Sequence, residues 1–383
     1  MTLSNGSVFE LTWTENGTAQ TLIVVHLPIT RPSAKPLQGP AVFRFSTITG
    51  ERFTRSVEHI ASVTAVQVAD LPHQLIEQLT EPLHALAEIE ADRIPTADLE
   101  ALFTTVESDE ACYNAALIAR YTLDGQDLTD ERSNAVLAFL KREAVADLWD
   151  DVSFARPAIR SLAAVAQDDP AAVIDFVPHV AIAAEIADLP TRRSAIYTCT
   201  RLASEYPEEV LPMLDLLIDG IASEDGNMQQ NALSALGHIV QSYPDAAEPV
   251  ASDVATLFES EEATVRANAV GLFGDLAVGH PDITMQYGAE LVKLLEDEEE
   301  EVRRNASIAL LRAGESNPEV FNQHTAILAT ALEDDVMEVR RNICSIIGNA
   351  TVEVSREQLE QLAANDPDDI VRDRAEWAIT RLE

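Results

Sequence analysis

The residues able to do chemistry in this chain are few and scattered. Cys112, Cys199 and Cys344 are an odd set without paired spacing, which indicates neither a disulfide framework nor a zinc site. Each sits in an apolar helical context and reads as a small buried hydrophobe. Tyr197, His238 and these cysteines form no recognisable reactive set. The acidic run Glu296 to Glu301 could ligate a cation. However, Glu259, Glu261, Glu262, Asp334 and Asp335 occupy what read as equivalent inter-helix turns, so the run is expected to be a solvated turn. No metal and no cofactor is expected.

Charge is the compositional outlier. Against 65 acidic residues stand 26 basic ones, for a formal net of −39, and only Lys35, Lys141 and Lys293 are lysines. Disorder also requires low hydrophobicity, and 46% hydrophobic residues excludes it. The composition resembles that of extreme-halophile proteins, whose carboxylates hold water where salt would precipitate a neutral surface. Molar salt shortens the Debye length to about 3 Å, so self-repulsion is screened and net charge says little about the partner. It does argue against a nonspecific duplex-DNA binder, which needs a broad basic surface. The opening "MTLSNGSVFELTW" lacks a basic segment followed by an apolar core, and no apolar run approaches the roughly 20 residues that span a bilayer. The expectation is a cytoplasmic protein without membrane insertion.

Organisation is more informative than composition. "EDEEEEVRRNASIALL" (296–311) and "LEDDVMEVRRNICSII" (332–347) share an acidic run, a Val-Arg-Arg-Asn word and an apolar run. Asn342, Asn305, Asn268 and Asn231 are spaced by 37 residues, followed upstream by Ser194 and Pro157. Pro170, Pro207, Pro244, Pro281 and Pro318 keep the same spacing. Two independent columns at one period signal a solenoid. Proline fits the first turn of a helix, so Pro281 opens helix A of a pair and an acidic link leads to helix B, "EVRRNASIALLRAGE". Val302, Ala306, Ala309, Leu310 and Ala313 then fall on one buried face of helix B.

This unit resembles the HEAT repeat, and more closely the short HEAT-like repeats of the phycobilisome-lyase type. The residues that carry the resemblance are an aspartate, Val-Arg five residues later, and small residues along helix B. They occur as Asp297, Val302, Arg303 and Ala306; as Asp334, Val339 and Arg340; and as Asp366, Val371, Arg372 and Ala375. The repeat near Pro244 keeps Val265, Arg266 and Ala269 but has Ser260 at the aspartate position. The resemblance implies that Arg266, Arg303, Arg340 and Arg372 tie inter-helix turns to their own or the next repeat. The column Asn231, Asn268, Asn305 and Asn342 lies at the edge of the apolar stripe, where a ladder of side-chain hydrogen bonds would satisfy it.

The predicted fold is mainly α: an α-solenoid of about eight antiparallel helix pairs over 96–383, with a shortened last pair. A helical bridge over 70–95 precedes it. Residues 1–69 read as a small antiparallel β domain of four or five strands, in which Val8/Glu10/Thr12 alternate with Phe9/Leu11/Trp13. "ENGT" suits a hairpin turn and "RPSAKPLQGP" a connector.

In HEAT-like arrays helix B lines the concave side. On the side of helix B opposite Val302 lie Arg304, Ile308 and, nearer its flank, Arg312. Equivalent offsets mark Arg156, Arg160, Arg193, Tyr197, Arg201, His238 and Arg341 as candidate partner-binding residues, with Asp275 the one acid on that side. The competing reading is that these arginines only pair with neighbouring carboxylates. The functional expectation is a noncatalytic scaffold or adaptor for a protein partner, anionic or acidic in character. The alternative is a cofactor lyase, chaperone or enzyme accessory on a HEAT-like frame. A HEAT-like di-iron hydroxylase is excluded because none of the eight histidines is followed by Glu. Asp275 beside the arginines is a faint echo of a DNA-repair glycosylase.

Overall fold

The structure is a computed structural model, and it describes residues 7–15, 18–27, 42–49, 51–56, 60–124, 130–352 and 356–382. The Asn-Gly turn and the proline-rich connector lie outside the described residues. Two compact units make up the chain, residues 1–198 and 199–383.

The first unit opens with five antiparallel strands: β1 (Val8–Glu15), β2 (Thr18–Leu27), β3 (Val42–Thr47), β4 (Arg52–Ser56) and β5 (Ile60–Val66). They are ordered β4-β3-β2-β1-β5, with β1 in register against β2 from Val8↔Val25 to Glu15↔Thr18. Alternation along β1 puts Phe9, Leu11 and Trp13 into a core with Val24 and Phe45, while Glu10 faces solvent. Val8 departs from the simple alternation and is also buried.

Pro72, extended at ψ 142, then starts α1 (His73–Glu90), followed by α2 (Thr96–Thr105), α3 (Asp109–Leu123), α4 (Asp130–Leu140), α5 (Val152–Asp168), α6 (Val177–Ala184) and α7 (Leu189–Ala203). Helix α3 packs between α1 and α5. The sheet is fastened to α2 by Asp98, whose buried carboxylate accepts from Ser7 Oγ at 2.8 Å and from the Val68 N–H at 3.1 Å. A buried carboxylate without such donors would be strongly unfavourable, so these bonds are what permit its place.

In the second unit the B-side helices are α10 (Gly226–Ser242), α12 (Ala263–Gly279), α15 (Glu300–Ala313), α18 (Met337–Ala350) and α20 (Asp369–Arg381), stacked in that order. Between them run short A-side helices: α8 (Pro207–Val210), α9 (Leu214–Ile221), α11 (Ala251–Thr256), α13 (Pro281–Gln286), α14 (Gly288–Lys293), α16 (Glu319–Asn322), α17 (Thr325–Ala331) and α19 (Arg356–Asn365). Eight pairs can be traced from α2/α3 to α19/α20.

The proline column sets the joints. Tyr206, Tyr243 and His280 share φ near −131 and ψ between 60 and 71, each donating its N–H to the carbonyl four residues back at 2.7–2.8 Å. The following Pro207, Pro244 and Pro281 bar these residues from continuing the helix and open the A side. Helix A is not one uninterrupted helix, however. Pro212 and Pro249, each five residues after the first proline, lack the N–H that would carry the helix on, and 3₁₀ turns intervene at Leu211–Met213 and Pro244–Val250. On the B side, Val302, Ala306, Ala309, Leu310 and Ala313 are all fully buried.

Candidate functional site

The inter-helix turns of the second unit are built around a line of arginine–aspartate pairs. Arg303 sits in the first turn of α15. Its Nη1 donates to the carbonyls of Asp297 (3.0 Å) and Glu298 (3.2 Å) in its own turn. Its other edge reaches the next repeat, Nε to Asp334 Oδ2 at 2.7 Å and Nη2 to Oδ1 at 3.3 Å. Arg266 does the same with Ser260 O and Asp297, and Arg340 with Asp334 O and Asp366. The fork of the guanidinium matches the two carboxylate oxygens, which a lysine could not do. All six side chains are between 2% and 13% exposed. The aspartate hydrogen bonds push the three arginines further up. Burial by itself would raise the Asp297 and Asp366 carboxyls, but the arginine hydrogen bonds, with help from nearby N–H groups, hold both below the ordinary range.

Thus Asp297 and Asp334 are not part of a solvated turn, although Glu298, Glu299, Glu300 and Glu301 around Asp297 are exposed. Each buried aspartate also receives the N–H two residues on: Glu299 at 2.9 Å, Val336 at 2.8 Å and Asp368 at 2.9 Å. Upstream, a different column does this capping. Asp151, Asp188 and Asp225, spaced by 37, accept from Ser153 N (2.7 Å), Thr191 N (3.0 Å) and Met228 N (3.0 Å). The sequence reading missed that column although its spacing is visible in the chain.

The asparagine column is uneven. Asn305 Nδ2 donates to Ala267 O at 2.9 Å and Asn342 Nδ2 to Ser307 Oγ at 3.0 Å, both crossing to the preceding repeat. Asn268 is exposed, and Asn231 enters through its backbone, its carbonyl accepting from Thr200 Oγ1 at 2.8 Å. The expected ladder of side chains therefore has two rungs here rather than four.

The candidate partner-binding residues fall in both units. In the first, Arg160 Nη2 grips both oxygens of Asp124 at 2.9 and 3.2 Å, Arg156 lies 3.9 Å from Asp188, Arg193 is exposed and Tyr197 half-buried. In the second, Arg201, His238, Arg304 and Arg341 are half-buried. Arg312 is turned towards α12, donating to Gly274 O at 2.7 Å beside Asp275, while Gln241 holds the other Asp275 oxygen at 3.1 Å. Nearby, Gly271 eases the approach of Asn305 from α15: a β-carbon there would lie 3.3 Å from Asn305 Nδ2. Arg304 reaches only Glu300 of its own helix at 3.4 Å, and Arg341 only the amide oxygen of Asn342 at 3.2–3.3 Å. Neither meets a carboxylate of another repeat among the described residues.

Burial pushes the thiols of Cys112, Cys199 and Cys344 up to about 11, 12 and 12, so they stay protonated and unreactive. Among the described residues no three His, Cys, Asp or Glu side chains converge on a metal-sized site. One cleft in the first unit, of about 620 Å³, is lined by Phe103 and Phe139, whose rings stack on each other.

Fold and turns together define an α-solenoid of stacked helix pairs whose successive turns are clamped by arginine–aspartate pairs. Residues 288–380 match the family model for HEAT repeats, so this part of the chain carries HEAT repeats. No curated protein sequence matches the chain. Its structure is similar to the crystal structure of an engineered protein from a structural-genomics consortium, with 18% identity, a TM-score of 0.63, and coverage of 82% of this chain and 87% of that one. At that identity the likeness concerns the fold alone. A designed armadillo repeat protein overlaps more partially, with 21% identity, a TM-score of 0.46, and coverage of 55% of this chain and 100% of that one. A computationally designed armadillo repeat protein made for modular peptide recognition overlaps similarly, with 20% identity, a TM-score of 0.47, and coverage of 55% and 100%. No helix among the described residues is long and apolar enough to cross a membrane.

Proposed function

We propose that the chain is a noncatalytic scaffold that holds a protein partner on the B-helix row, and that the partner presents acidic groups. The observation that carries this reading is the pair Arg304 and Arg341. They stand 37 residues apart at matching places on the neighbouring helices α15 and α18, and they have only weak partners within their own helices. Arg303 and Arg340, one residue earlier, are consumed by the clamps, so the second arginine of each Val-Arg-Arg-Asn word is the one left for recognition. Guanidinium groups half-withdrawn from water bind carboxylates more strongly than fully solvated ones do. Arg201 and His238 extend the same kind of surface within the second unit, and Arg156, Arg160, Arg193 and Tyr197 supply one in the first. Residues 1–69 fit a module that covers the first helices, with 70–95 as the bridge and 96–383 as the interaction array.

The test is recovery of partners from native lysate in molar salt. Arg304→Glu with Arg341→Glu should abolish a stoichiometric partner seen with the parent protein. Unchanged recovery overturns the reading, and a coloured or metal-bearing purified protein favours the cofactor-lyase alternative.

A further inference from the structure

The cleft of about 620 Å³ in the first unit lies in the groove between α2 and α4. The next groove along shows how such a space is closed. There Lys141 Nζ donates to Asp175 Oδ2 at 2.7 Å and stands 5.3 Å from the centroid of the Phe176 ring. Thr104 and Ala138 come 37 residues before Lys141 and Asp175, and both line the cleft. A threonine and an alanine at those places cannot form an ion pair, so the groove stays open. The stacked rings of Phe103 and Phe139 back it, and the exposed Ala138 with the adjacent Ala135 gives it an apolar face.

Arg142 brings a cation to this apolar space, where it lines the cleft half-buried. Backbone carbonyls hold one corner of it, as they hold the clamp arginines and Arg372, whose Nη1 donates to Asp366 O at 2.6 Å. The Nη1 of Arg142 donates to Phe103 O at 2.8 Å and to Val106 O at 2.6 Å. Among the described residues no acceptor meets its Nε or Nη2. Glu100 and Glu131 also line the cleft, but they are exposed and neither pairs with Arg142.

We propose that this cleft binds a small apolar molecule carrying one carboxylate. The apolar body rests on Ala135 and Ala138, and the carboxylate takes the Nε–Nη2 edge of Arg142. The volume suits such a ligand, since small-molecule pockets span about 300–1,000 Å³. The two carbonyls fix the guanidinium plane in advance, and its fork matches a pair of carboxylate oxygens. Glu100 and Glu131 repel a second negative charge, so a monoanion is favoured over a dianion. This site is separate from the B-helix row and needs no protein partner.

The probe is naphthoate, measured by equilibrium dialysis against the intact protein in molar KCl at about pH 8. Naphthalenemethanol and naphthyl phosphate serve as its uncharged and dianionic counterparts. Saturable binding of naphthoate is expected at about 1 mM or tighter, and about tenfold weaker binding of the other two. Arg142→Gln should weaken naphthoate about tenfold and leave the alcohol unchanged, whereas a merely structural loosening of α2 would weaken both alike. Ala138→Leu fills the cleft from an exposed helical position and leaves Arg142 in place. It should abolish naphthoate binding with circular dichroism unaltered. Where Arg142→Gln fails to fold, the three probes on the parent protein decide. No naphthoate binding at about 10 mM, equal or tighter binding of the alcohol or the phosphate, equal weakening of both probes in a folded Arg142→Gln protein, or binding retained by Ala138→Leu each overturns the proposal.

Discussion

Removing one partner of an interior clamp is the most informative perturbation. Asp334 accepts three hydrogen bonds, two from Arg303 and one from the Val336 N–H, and its side chain is 6% exposed. Asp334→Ala leaves the Arg303 guanidinium with carbonyl acceptors, the exposed Asp335 carboxylate and no buried counter-charge. Breaking a buried pair from one side costs about 3–5 kcal/mol; with Arg303 13% exposed and Asp335 within reach, the lower end, about 3 kcal/mol, is expected. Arg303→Met in the Asp334→Ala background should then cost much less than it does alone, giving a coupling of about 2 kcal/mol. The control is Arg356–Glu360, an i,i+4 pair at 2.8 Å with both side chains 56% exposed, where about 0.3–0.5 kcal/mol is expected. Equilibrium urea unfolding followed by circular dichroism in molar KCl measures both cycles. A coupling for Arg303/Asp334 no larger than the control would refute the claim that these clamps stabilise the stack.

Three further predictions concern other parts of the chain. Burial, assisted by the charge of Arg93, lowers His26 from 6.5 to about 4. The unfolded chain therefore takes up this proton first, and stability present above pH 6.5 should decline as pH falls towards 4. His26→Asn should flatten that slope in urea midpoints measured against pH. Thr351 ends α18 in the left-handed region at φ 52, ψ 46, which is unfavourable for a β-branched residue. Thr351→Gly should raise stability by about 1 kcal/mol, read as a higher thermal midpoint. Finally, a β-carbon at Gly348 would meet the Trp377 ring. Gly348→Ala should displace that ring and destabilise the last pair by about 1–3 kcal/mol, seen as a change in Trp377 fluorescence with Trp13 and Trp149 replaced by Phe.

Much of the architecture is legible in the residue pattern because periodicity reports angle. The 37-residue proline column marks where helices must stop, and the alternation of Phe9, Leu11 and Trp13 marks which strand face is buried. Distances to neighbouring repeats are not encoded that way. Position on helix α15 identifies Arg312 as facing away from Val302, but only the packing shows that it lies against Gly274 and Asp275 of α12. Asp366 is legible as a repeat aspartate, but the shortened last repeat puts it 26 residues after Arg340 where the other aspartates follow their arginines by 31, so its pairing with Arg340 breaks the spacing of the series. Asp98 is not marked in the sequence, since Ala97 and Glu100 beside it are exposed, and its tie to Ser7 and Val68 depends on how the sheet lies against the helices. The A-side breaks after Pro207 and Pro244 are signalled by Pro212 and Pro249, second prolines that fall inside the span a single helix would need, whereas the breaks at Tyr287 and at Gln323–His324 carry no such mark.

The clamps run in one direction only: every arginine looks forward and every buried aspartate answers backward. A genetic event that copies or deletes one whole 37-residue segment between Arg266 and Arg340 joins a forward-looking group to a backward-answering one at the new seam. No charge is stranded in the interior, whatever the copy number. An array built this way can lengthen or shorten its span without redesigning its joints, and the reach of the molecule becomes adjustable independently of its fold.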